Sequence, residues 1–393
     1  MKTIYLLLII IIFSCRSTEK PSSNLLKTNT ISFNTGMSVR SKNIGTYYSK
    51  TAKQEFIYFG NVETSKKIKI FSLDSKLRHS IQLDTVLKQC KKIDDFNIVS
   101  KDTIIILSQY SNMLYFINVK GEIWKKQNLN LQINTPNNDF YEFCSSYTVG
   151  QTILNDTTII LSSDWRNSFN DTIKRNNIEE VKYFYQNIWN TPKLLKIDNI
   201  YNDSLSYILA YNQYKVLFPK DSNYIFTQLP LYTLINDKIY SFCDYSNKIT
   251  IIKPNDLTIE NFIEIELKNK FKIGRNKIES NKENIIDLQN IINVDTKEKS
   301  SIRRICYSQK QNLFFIKVLS KITYENFMKT KYRPWVLNVY DSEFKKLDEI
   351  TFNEKSQSGI FMNSSLGLMI QDKKEIKDYS NQKITFDIYE YKK

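Results

Sequence analysis

Histidine is almost missing from this chain of 393 residues; the single copy is His79. A Ser-His-Asp triad needs a histidine beside a nucleophile, and histidine-built metal clusters need several. His79 lies in the stretch KLRHSIQL, which reads as an outer strand. Glycine and proline are also sparse, with eight and seven copies, so the turns must rely on Asn, Asp, Ser and Lys. That excludes collagen-like and low-complexity chains. No GxGxxG, P-loop or EF-hand calcium loop occurs. Alanine and long runs of good helix formers are scarce. Five cysteines stand at wide, irregular spacings and form no CxxC or zinc-like cluster. The formal charge is +15, yet there is no arginine-rich run of the kind that grips phosphates. Lysines scattered singly or in pairs read as a solvated surface, and no nucleic-acid partner is expected.

Aromatic residues are plentiful, at 13% with 25 Tyr and 23 Phe, and favour half-buried pleated strands. A hydrophobic content of 41% is too high for a disordered chain. One pattern recurs: an apolar run, a polar turn, then an alternating run. It occurs in MLYFINVKGEIWKK from Met113, and again from Ile68, Lys193, Lys248 and Trp335, with a last first-strand from Lys383. The turns fall at Asp74-Ser75, Lys120-Gly121, Asp198-Asn199, Pro254-Asn255 and Asp341-Ser342. The shortest intervals match the roughly 40–50 residues of a propeller blade. A further pair of apolar runs precedes most copies, giving four short strands per unit. The last unit lacks a fourth strand, and LLKTNTISFNT, Leu25 to Thr35, precedes the first unit without a partner. The fold expected is all-β: a six-bladed β-propeller over residues 25–393, closed by its N-terminal strand, with two short helical insertions.

Those insertions are expected near 164–191 and 269–300. In the first, Val181, Phe184, Tyr185 and Ile188 have helical spacing. In the second, Ser280 and Glu283 have capping-box spacing, and Ile285, Leu288 and Ile292 would face the body. A third, shorter insertion runs from Lys321 to Val336.

At the N-terminus, Lys2 precedes a ten-residue apolar run, Ile4 to Phe13, too short to span a bilayer. Residues 1–14 read as a signal peptide. The run ends in Ile12-Phe13-Ser14-Cys15, which resembles a bacterial lipobox: a small residue before a cysteine that is lipidated and becomes the new N-terminus. Cys15 is then the attachment point for acyl chains such as palmitate, and residues 15–24 form the anchor and a polar tether. By resemblance to Gram-negative lipoproteins, Arg16 stands where Asp would retain the protein at the inner membrane. That implies the cell outer membrane, facing the periplasm. Cys90, Cys144, Cys243 and Cys306 are expected to act as small buried hydrophobes rather than as a disulfide framework.

Together the lipobox, the repeats and the Tyr332-Arg333-Pro334-Trp335 stretch resemble the six-bladed, TolB-like propeller lipoproteins of Bacteroidetes-type bacteria. The resemblance implies a fold and an address, and supplies no catalytic residues. Trp165, Arg166, Tyr332, Arg333 and Trp335 are the candidates for holding a ligand or partner. Aromatic faces beside a guanidinium can stack on sugars and fork onto anions. The other reading has the tryptophans packing insertions onto the ring and Arg333 paired locally. Asp94, Asp95 and Asp164 could serve a carboxylate site, although neighbours on a strand point to opposite faces. The expectation is a binding or scaffolding module in the cell envelope, without metal, cofactor or catalytic residues and with an envelope protein or glycan as partner. The alternative is a lyase or hydrolase using carboxylates and tyrosines in a central channel.

Overall fold

The structure, a computed structural model, describes residues 24–39, 43–90, 92–100, 102–108, 113–129, 140–144, 152–155, 157–166, 194–202, 206–210, 231–242, 247–265, 294, 297–298, 300–352, 361–372 and 383–392. Cys15, Cys243 and the helical stretches read at Val181–Ile188 and Ser280–Ile292 lie outside these residues.

The described strands pair into six antiparallel sheets. Strand β1 (Leu25–Asn34) is claimed only at the end of the chain. The first sheet is β2 (Ile44–Ser49), β3 (Gln54–Asn61), β4 (Lys67–Ser72) and β5 (Leu77–Gln82). The second is β6 (Ile93–Ser100), β7 (Thr103–Ser108), β8 (Met113–Ile117) and β9 (Ile123–Asn128). In the third, β10 (Phe140–Cys144) and β11 (Thr152–Asn155) both pair with β12 (Thr158–Arg166), followed by β13 (Leu194–Asp198) and β14 (Ser206–Ala210). The fourth is β15 (Leu231–Ile235), β16 (Lys238–Phe242), β17 (Lys248–Ile252) and β18 (Ile259–Glu264). The fifth is β19 (Ser301–Ser308), β20 (Leu313–Leu319), β21 (Trp335–Asp341) and β22 (Lys346–Phe352). The sixth runs β23 (Phe361–Ser364), β24 (Gly367–Asp372), β25 (Lys383–Tyr391), with β1 outermost.

Why these segments form strands is plain in the second and third positions of each sheet. Ile104 to Leu107 and Leu313 to Val318 are apolar or buried along their length rather than alternating. That is the signature of a strand covered on both faces. Each sheet is sandwiched between two others. Ile105, Leu107 and Phe116 of the second sheet pack on Ile159, Leu161 and Leu195 of the third. Tyr232 and Ile239 of the fourth meet Ile160 and Leu194. Phe33 of β1 joins Phe59 and Phe71 of the first sheet to Phe386 of the sixth. Neighbouring inner strands also touch: β2 with β6, β6 with β11, β11 with β15, β15 with β19, and β19 with β23. The architecture is an all-β propeller. Outermost strands such as β9 return to alternation, because one of their faces meets water.

The closing strand lies where the sequence places it. Ile31 opposes Phe386, and Phe33 opposes Ile384. The Lys392 amide adds a bond of 2.8 Å to the Asn24 carbonyl. Without β1, β25 would present a row of unpaired backbone groups.

Antiparallel order sorts the connections. The turns joining first to second and third to fourth strands lie together at one end of the sheets, the tight-turn face. Asn312 Nδ2, in a turn of the first kind, donates to Ser342 Oγ, in one of the second, at 3.1 Å. Connections between second and third strands, and between sheets, gather at the opposite end. At that end lies helix α2 (Tyr324–Thr330); a four-residue helix, α1 (Asp84–Leu87), links the first two sheets. Thr323 caps α2, its Oγ1 accepting from the Asn326 amide.

Several expectations need correction. Asp164, Trp165 and Arg166, placed in the first insertion, extend β12 and pair with Glu142, Tyr141 and Phe140 of β10. The third sheet's inner strand, read as one segment after Ser145, is two pieces on either side of it. The short insertion at 321–336 contains a helix that was not anticipated. His79 lies on the outer strand β5, as read.

Gly121 shows how tightly the tight turns fit. Its φ is +80°, and a Cβ there would run into the backbone carbonyl of Gln82 in the preceding sheet. Gly121→Ala is expected to lower stability by about 1–3 kcal/mol, measurable as a drop in the urea midpoint. An unchanged midpoint would mean the turn is free to shift.

Candidate functional site

Inner strands of a propeller line its axis, and here they enclose an open cavity of about 1420 Å³. Its described lining comes from β2, β3, β6, β15, β19 and β23, together with turns of the tight-turn face. Tyr47, Tyr48, Tyr58 and Tyr307 supply aromatic surface; Lys50, Lys53, Arg304 and Lys310 supply positive charge. Glu55 is the one carboxylate among the lining residues, and its Oε2 accepts from the Ser365 amide at 2.7 Å.

Local sequence explains how these groups are placed. Gly45 on β2 leaves room for Tyr58 of β3, whose phenol would collide with any Cβ there. Tyr58 is buried, and its ring lies 5.4 Å from that of Phe96. Burial, then the carboxylate of Asp95, hold the Tyr58 phenol far above its ordinary value, with Arg304 opposing them. So Asp95 of the second sheet and Arg304 of the fifth both act on a tyrosine of the first. Burial likewise raises Tyr47. Arg304 also hydrogen-bonds the Cys306 thiol, which burial pushes up. On the rim, Lys310 pairs with Glu390 at 2.7 Å. Asn363 Nδ2 donates to the Tyr307 carbonyl at 3.1 Å, tying β23 to β19.

Chemically, hydroxyl donors and cations outnumber the one carboxylate among the described lining residues. A tyrosine that removes a proton needs a lowered pKa, and Tyr58 and Tyr47 are moved the other way. A thiol nucleophile needs the thiolate, which burial disfavours at Cys306. Among the described residues there is no group of three or more His, Cys, Asp or Glu that could hold a metal ion. Asp94 and Asp95 are buried in β6, where the register slips between Ile93 and Asp95. Asp164 lies on β12 opposite Glu142 of β10.

The residues singled out from sequence sit elsewhere. Trp165 and Arg166 are on β12, far along the chain from Tyr332, Arg333 and Trp335 at the start of β21. Trp335 is fully buried, so its ring offers nothing to a ligand. It stacks on Phe352 with centroids 4.0 Å apart and planes at 6°, while Lys317 Nζ lies 4.4 Å from its centroid on β20. Tyr332 donates its hydroxyl to the Phe352 carbonyl at 2.9 Å. Arg333 is buried, and its Nε donates to the Ser320 carbonyl at 2.6 Å. Arg333 thus ties the end of β20 to the start of β21, while Tyr332 and Trp335 tie it to Phe352 at the end of β22. Arg333 does join a basic group: burial, then Arg333 and Arg303, push the Lys297 ammonium down. Cys90 and Cys306 are buried free thiols, as the sequence reading had them.

Gly45, Tyr58 and Arg304 were missed in the sequence, because they come from two sheets far apart in the chain; Asp95, named as a candidate carboxylate, acts on Tyr58 from a third. The one local signal was the glycine of IGTYYS, whose missing side chain makes space for the Tyr58 ring on the facing strand.

No protein-family model and no curated protein matches the sequence. Two solved structures are similar in fold. A member of the DUF4221 family from Bacteroides vulgatus has a TM-score of 0.66 at 16% identity, over 93% of this chain and 97% of its own. A protein from Bacteroides fragilis described as exported has a TM-score of 0.55 at 8% identity, over 94% and 96%. At such identities the likeness establishes the fold: this chain is a β-propeller of the kind seen in both.

Proposed function

We propose that this protein is a six-bladed binding module of the cell envelope, lipid-anchored through Cys15 at the outer membrane and facing the periplasm. Its ligand is an acidic glycan held in the central cavity. The observation that carries the reading is the composition of the described lining: four tyrosines and four cations, of which Lys310 is paired with Glu390, around one carboxylate that is already bonded. Tyrosine faces stack on sugar rings, and fixed cations take their acid groups. The exported neighbour from Bacteroides fragilis supports an envelope address. The lyase or hydrolase reading finds one carboxylate among the described lining residues, and burial raises Tyr58 and Tyr47 rather than lowering them.

Isothermal titration with a galacturonate oligosaccharide tests the proposal. Arg304→Gln is expected to weaken binding about tenfold or more, the loss of a charge-assisted hydrogen bond in a confined site. Binding should also weaken as salt rises. Equal affinity of wild type and Arg304→Gln, or affinity indifferent to salt, would sink the proposal.

Partner binding through the opposite face is a second reading, supported by the basic group of Lys297, Arg303 and Arg333 at the start of β19 and β21. Trp165 and Arg166 belong to this reading as positions on β12.

A further inference from the structure

Eight large apolar side chains are exposed among the described residues, and they are not scattered. Leu77, Trp124, Ile259 and Leu347 lie within two residues of a turn between third and fourth strands. Tyr48 and Leu366 lie at turns between first and second strands, and Tyr48 lines the cavity. Six of the eight thus sit at the tight turns. Lys50, Lys53, Lys76, Lys120, Lys253 and Lys345 share those turns.

The chain also enters the ring there. β1 begins beside the end of β25, where Leu25 opposes Tyr391. Gln311, in the tight turn between β19 and β20, donates from Nε2 to the Tyr391 carbonyl at 2.6 Å, and Lys310 pairs with Glu390. The start of β1 is therefore seated on a tight turn of the neighbouring sheet.

We propose that the tight-turn face lies against the bilayer surface, with Trp124, Tyr48 and the exposed leucines at headgroup level and the cavity mouth opening toward the membrane. This rests on the lipid anchor at Cys15. From Cys15 to Asn24 there are nine residue steps, which span at most about 30 Å when fully extended. A tether that short leaves its own side of the ring closest to the lipid. Amphipathic aromatics are at home at a membrane–water interface, and lysines reach out to headgroups along apolar stems.

The pose and the anchor can fail separately. Labelled fatty acid incorporated by wild type, and lost in Cys15→Ala, tests the anchor in cells. For the pose, protein beginning at residue 15 is coupled through Cys15 to a maleimide-bearing lipid in phosphatidylethanolamine–phosphatidylglycerol vesicles. A donor dye is attached through an azide-bearing residue replacing Lys120, on a tight turn, or Lys329, on α2 at the opposite end; both are exposed. Energy transfer to acceptor lipids should be at least twofold greater from position 120. Equal transfer, or greater transfer from position 329, overturns the pose. That is the result expected if a protein partner covers this face instead.

Discussion

Phe33→Ala is expected to destabilise the folded protein by about 3–5 kcal/mol, among the larger losses a single side chain can cause here. Phe33 is fully buried, and its ring lies 5.2 Å from Phe59, 5.6 Å from Phe71 and 6.3 Å from Phe386. Truncation removes the transfer energy of the ring and leaves a void among three aromatic groups that cannot all collapse into it. The site is also where β1, from the start of the chain, is held against the first and sixth sheets. Phe33→Leu, which keeps most of the volume, should recover more than half of the loss. Urea denaturation of the three proteins checks this. A change below about 1 kcal/mol for Phe33→Ala would mean that β1 is not held as described.

Trp335→Ala is expected to cost a similar amount, about 3–5 kcal/mol. The indole is stacked face to face on Phe352 and carries the Lys317 ammonium on its other side. Truncation removes that packing and leaves Lys317, which is buried, without the aromatic face that favours its charge. Trp335→Phe should fall between wild type and alanine. If Trp335→Ala were as stable as wild type yet lost a binding partner, the residue would be a contact after all.

What the sequence made legible is the repeat, because it is written in backbone chemistry. Asp74-Ser75, Lys120-Gly121 and Asp198-Asn199 are turn formers, and Ser75, Gly121 and Asn199 adopt positive φ. Leu257 and Phe344 also adopt positive φ, and no sequence rule would have chosen them. The first pair of strands, β2 and β3, was not picked out, since IGTYYS mixes aromatic and polar residues without a clean period. Trp165 and Arg166 read as the start of a connection because SSDWR is polar, yet that polar stretch continues β12. Trp335 shows a different limit. Sequence marks an aromatic beside Arg-Pro as notable, but burial decides whether it meets a ligand or a neighbour. The cavity was invisible for a topological reason: Tyr58 and Arg304 share an electrostatic environment across 246 residues of chain.

The seam between β1 and β25 has a consequence for biogenesis. A ribosome makes β1 first, yet Thr30 waits for Asp387, 357 residues later, to receive its partner. Until translation delivers that last strand, the nascent propeller is an open arc with adhesive ends. Such long-range closure folds slowly and exposes intermediates to aggregation, so folding should depend on chaperones that hold the opening segment.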